Sequence, residues 1–117
     1  MFKGRLGARA VFLFSIFVSF MSTAQANAED ENALALAKKN ACLGCHAVNK
    51  KIVGPSFQAV AEKYKDNTNA QGLLKNKIAM GGAGSWGVVP MPPNSKLSDA
   101  DLTALTSWVL RGAPSKN

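Results

Sequence analysis

Residues 42–46 read Cys-Leu-Gly-Cys-His, and no other stretch of this 117-residue chain restricts its fold as strongly. Cys-x-x-Cys-His is the attachment signature of c-type haem. The spacing lets both thiols add to the vinyl groups along one side of a porphyrin. His46 then lies under the ring, where its imidazole can take an axial position on the iron. A zinc site would need two further ligands, and the chain has two cysteines and one histidine in all. A thioredoxin-like dithiol would follow a strand and open a helix, and no strand pattern precedes Ala41. A disulfide between Cys42 and Cys45 would close too short a loop to be useful.

The first residues have the pattern of an export signal. Lys3, Arg5 and Arg9 form a positive start, and Ala10 to Met21 is apolar and rich in Phe. Two small-x-small sites follow, Ala24-Gln25-Ala26 and Ala26-Asn27-Ala28. Cleavage after Ala28 is favoured over Ala26, giving a signal at 1–28 and one domain at 29–117. The apolar run is short for a bilayer span, which argues against stable membrane insertion. Export together with this motif points to the periplasm, where thioether-bound cysteines leave no free thiol to oxidise.

The 29–117 segment is poor in large apolar side chains; its aromatics are Phe57, Tyr64, Trp86 and Trp108. So small a domain struggles to bury enough apolar area, and a covalent haem would complete its core. It carries 11 basic and 7 acidic residues, a net charge of +4. That mild bias gives no case for nucleic acid.

Periodicity and capping signals predict an all-α domain of about four helices. The first spans about Glu31 to Asn40, capped by Asp30, with small alanines that allow another helix to approach. An irregular loop with the haem motif follows, up to Gly54. Ser56 caps a helix from Phe57 to Tyr64, and a third runs from Ala70 to Met80 until Gly81-Gly82 stops it. Residues 81–96, rich in Gly and Pro, form an ordered loop. Ser98 opens a last helix from Asp99 to Leu110, with Leu102, Leu105, Thr106, Val109 and Leu110 on one face.

With His46 on one side of the iron, no second histidine can take the other. Met80 and Met91 are the methionines left outside the signal. Met80 ends a helical pattern and is expected to pack. Met91 sits between prolines that fix its backbone, so the choice falls on Met91 over Met80 or an open site. A His/Met pair raises the reduction potential and leaves no position for substrate, which favours electron transfer over catalysis at the iron.

Four segments carry a closer likeness: 39–46, Val53-Gly54-Pro55, Trp86 to Asn94, and Trp108-Val109-Leu110. Together they resemble the short bacterial class I cytochromes c over nearly all of 29–117. The resemblance implies the cytochrome c fold, with its N- and C-terminal helices crossing over one haem. It implies that Cys42 and Cys45 carry haem c and that His46 and Met91 are the proximal and distal iron ligands. The Pro55 carbonyl would accept the other ring N–H of His46. The Asn94 amide would contact the Met91 sulfur, and the Trp86 indole would donate to a propionate. Lys77 stands where a basic propionate partner, often Arg, is expected. Ala41 stands where relatives often have Gly, and the tail from Gly112 is longer than usual.

The role implied is a soluble, monomeric, one-electron carrier of a periplasmic respiratory chain. Its donor would be a cytochrome bc1 complex and its acceptor a nitrite reductase or terminal oxidase. Lysines 38, 39, 50, 51, 63, 65, 75 and 77 are candidates for a positive rim that steers acidic partners.

Overall fold

A computed structural model describes the backbone of residues 10–115 and the side chains of residues 24–115. Lys3, Arg5 and Arg9 lie outside the described residues. Four α-helices appear in chain order: α1 (Ala10–Lys39), α2 (Phe57–Tyr64), α3 (Ala70–Met80) and α4 (Asp99–Leu110). Among the described residues there is no strand, only two isolated bridges, His46 with Lys51 and Gly82 with Met91. None of the described helices is long and apolar enough to cross a membrane.

Three of the four helices have the expected bounds, because their ends are written locally. The Ser56 hydroxyl accepts from the Ala59 N–H at 3.0 Å, and the Ser98 hydroxyl from the Asp101 N–H at 3.1 Å. Each cap satisfies a donor that the helix cannot, worth about 1 kcal/mol. α4 ends in a Schellman turn: the Ala113 N–H donates to the Trp108 carbonyl (3.0 Å) and Gly112 N–H to Val109 (2.9 Å).

The first helix departs from expectation. It does not start at a cap on Asp30 but runs unbroken from Ala10. The sequence from Ala10 to Ala28 contains neither Gly nor Pro, so nothing interrupts helical hydrogen bonding. The Asp30 carboxylate instead accepts from Arg111 at the end of α4, at 2.5 Å.

α1 and α4 meet through the small residues the sequence offered. Ala33, Ala37 and Ala113 are buried in one cluster with Trp108, Leu105 and Val109. Leu102, Leu105, Thr106 and Val109 of α4 are buried, whereas Leu110 is half-buried. Trp108, absent from the expected face, is the largest fully buried side chain. Its indole N–H donates to the Pro114 carbonyl at 2.9 Å, which ties the tail beyond Gly112 to the core.

Ala41 follows α1 in the left-handed region, with φ 57° and ψ 20°. An L-residue there is strained by roughly 1–2 kcal/mol, part of which glycine would give back as unfolded-chain entropy. Ala41→Gly should therefore stabilise the fold by about 0.5–1 kcal/mol. Denaturant titration checks this, and a fall in the unfolding midpoint would contradict it.

Candidate haem crevice

The Cys-x-x-Cys-His segment is itself a helical turn, where the sequence suggested irregular loop. A 3₁₀ turn covers Cys42–Gly44, and the Cys42 carbonyl accepts from both Cys45 N–H (3.2 Å) and His46 N–H (2.9 Å). In such a turn residues i and i+3 share a face, which brings the two thiols to one side. Burial pushes the Cys42 thiol pKa up from its ordinary value; a backbone hydrogen bond opposes the shift and Cys45 adds to it.

His46 is held on three sides. Its Nδ1 lies 2.7 Å from the Pro55 carbonyl oxygen, the contact expected to fix the tautomer and leave Nε2 free to bind a metal. Phe57 stacks on the imidazole with centroids 5.3 Å apart and planes 18° apart. Gly54 closes the third side: a Cβ there would lie 2.8 Å from Nδ1, so only glycine lets the backbone pass. Phe57 in turn meets the edge of Trp108 at 5.2 Å, so three rings link the site to the core.

Facing His46 is a cavity of about 480 Å³, within the usual range for cofactor sites. Cys42, Cys45, His46, Pro55, Lys77, Trp86 and Met91 all line it. Met91 is set by its loop. It exchanges two backbone hydrogen bonds with Gly82, at 2.9 and 3.0 Å. Gly81 has a positive φ of 68°, and a Cβ on it would meet Pro92 at 2.9 Å. Met80 neither packs nor lines the cavity; it is 70% exposed at the end of α3. Met80 lies two residues beyond Ile78, so the turn of α3 that packs Ile78 on the core puts Met80 on the opposite side.

Asn94 follows Met91 by three residues. Its side-chain Nδ2 lies 3.4 Å from the Pro92 carbonyl, and its backbone N–H donates to Ile78 at 2.9 Å. Of the eight lysines of the expected rim, Lys51 and Lys77 line the crevice and Lys63 lies over the Trp86 ring. Lys65 pairs with Glu62 and Lys75 with Asp99, so neither offers an unpaired charge. Sequence reasoning gave no site role to Phe57, Gly54 or Gly82. The Gly81-Gly82 pair marked a helix end there, and only its pairing with Met91 shows its second use.

The donor set fits a covalent haem. Two thiols share one edge of an apolar cavity, an imidazole is fixed by a carbonyl on one wall, and a thioether is held in a proline-framed loop. Such an arrangement defines a helical domain that binds c-type haem. The family model for cytochrome c matches residues 31–112, and the chain belongs to that family as a short class I monohaem member. It is 51% identical over 75 residues to cytochrome c-552 of Nitrosomonas europaea, covering 64% of this chain and 73% of that one. It is 48% identical over 77 residues to cytochrome c-551 of Allochromatium vinosum, covering 66% and 82%. The crystal structure of wild-type Nitrosomonas europaea cytochrome c552 superposes with a TM-score of 0.65 at 48% identity, covering 68% of this chain and 98% of that one. The protein is thus an electron carrier rather than an enzyme, and Cys42 and Cys45 carry its haem c.

Proposed function

We propose that this protein is a periplasmic shuttle whose haem iron is held between His46 and Met91. The observation that carries the reading is the cavity itself, with the oriented imidazole and Met91 both lining it beside the two thiols. When bound, the haem supplies reversible one-electron chemistry between ferric and ferrous iron.

The chain's own residues do the rest. The Pro55 carbonyl accepts a hydrogen bond from the Nδ1–H of His46 and so keeps Nε2 directed inward. Met91 offers a soft sulfur that favours the reduced state. Asn94 steadies the Met91 loop through the Pro92 carbonyl and has a second amide N–H to offer the sulfur. Trp86 and Lys77, both on the cavity wall, offer an N–H and a charge to the propionates. Phe57 and Trp108 keep the proximal side packed in both redox states, so little rearranges when the electron moves.

Residues 1–28 act as a signal removed after Ala28. The mature 29–117 chain is monomeric, binds no nucleic acid and takes no stable place in a membrane. A cytochrome bc1 complex is the proposed donor, and a nitrite reductase or terminal oxidase the acceptor. Lys51, Lys63 and Lys77 stand nearest the crevice and supply the positive charge that steers an acidic partner.

Stopped-flow oxidation of the reduced protein by such reductases and oxidases tests this. The second-order rate should fall several-fold or more from low to physiological salt, as the Debye length shrinks from about 30 to about 8 Å. A rate indifferent to salt would remove the steering role. Mass spectrometry of the exported protein should give residues 29–117 plus one haem.

A further inference from the structure

The stretch from Ala83 to Pro90 leads into Met91; it is rich in glycine and lines the crevice. Its own backbone hydrogen bond, Gly84 N–H to the Gly87 carbonyl at 2.8 Å, is internal. Among the described residues, one hydrogen bond joins this stretch to another element: Lys63 Nζ donates to the Ser85 carbonyl at 2.6 Å. The same ammonium lies 4.4 Å from the centroid of the Trp86 ring, in cation–π range. Lys63 belongs to the last turn of α2. The first residue of that helix, Phe57, stacks on His46.

We propose that Lys63 is a positioning residue that latches the Met91 loop to α2, so that one short helix sets both axial sides of the crevice. The inference rests on the reading of Met91 as distal ligand. A salt bridge would be a poor latch, being screened at the surface. A charged donor on a carbonyl, backed by a ring face, depends less on ionic strength. Lys63 touches neither the iron nor either axial ligand; it acts through Ser85 and Trp86. Loss of the latch raises the fraction of time the loop is open and Met91 displaced.

The test uses the intact ferric holoprotein and imidazole as an added ligand that binds only where Met91 has left. Lys63→Met keeps the chain length and removes both contacts. It should raise apparent imidazole affinity about tenfold, which is the scale of one charge-assisted hydrogen bond with a cation–π contact. Lys63→Arg keeps a donor and a stacking cation and should stay close to wild type. Both variants should carry one haem by mass and show wild-type helical circular dichroism, since Lys63 is exposed. An unchanged imidazole affinity in Lys63→Met overturns the latch. A wild-type ferric spectrum without the weak long-wavelength band of thioether-ligated haem overturns the Met91 reading instead, and the latch with it.

Discussion

Met91→Ala should abolish the weak long-wavelength ferric band and lower the reduction potential by a few tenths of a volt. Axial ligands move haem potentials over a span of roughly 0.8 V, and thioether sulfur lies towards its upper part. Met91 lines the crevice and is pinned by two hydrogen bonds to Gly82 and by prolines on both sides. Alanine would keep that backbone and remove only the sulfur. Carbon monoxide should then bind the ferrous protein at once, where the wild type excludes it. Met80→Ala is the matched control. Met80 is 70% exposed at the end of α3, so its removal should leave spectrum and potential unchanged. Optical titration of the two variants separates the outcomes.

Trp108→Ala should cost about 3–5 kcal/mol of stability, the range for deleting a buried aromatic side chain. That is a large part of the roughly 5–15 kcal/mol that holds a small domain together. Trp108 has no solvent exposure, packs against the alanine face of α1, and donates its indole N–H to Pro114. It also supports Phe57, which supports His46. The loss should therefore appear in two places. The denaturation midpoint should drop, and the proximal imidazole should lose order, seen as a broadened haem spectrum in the folded protein. Trp108→Phe keeps a ring in place and should recover most of the stability. A Trp108→Ala protein as stable as wild type would show that α1 and α4 do not depend on this contact.

Where the sequence spoke locally, it could be read closely. Ser56 and Ser98 cap their helices because a short hydroxyl side chain reaches the N–H three residues on. Gly81 and Gly112 stop helices because each adopts a positive φ. The pentapeptide Cys42–His46 was legible because its chemistry is tied to fixed spacing, whereas the Pro55 carbonyl contact was expected from the family resemblance alone. What could not be read depends on distant partners. Asp30 has the composition of a cap, but Arg111, 81 residues away, claims its carboxylate. Phe57 looked like an ordinary first-turn residue until the 45–55 loop folded His46 onto it. Trp108 lay off the expected stripe of α4, because two helices and a tail surround it from different directions. Lys63 was one of eight lysines, and only its approach to Ser85 and Trp86 sets it apart.

The central claim is that one sulfur, that of Met91, faces His46 across a haem fixed to Cys42 and Cys45. Proton NMR of the ferrous protein, with methionine methyls labelled, tests it most directly, because a methyl seated over a porphyrin is shifted far upfield by the ring current. One such resonance should appear, vanish in Met91→Leu and persist in Met80→Leu. A spectrum with no upfield methionine methyl, or one that vanishes with Met80 instead, would contradict the account.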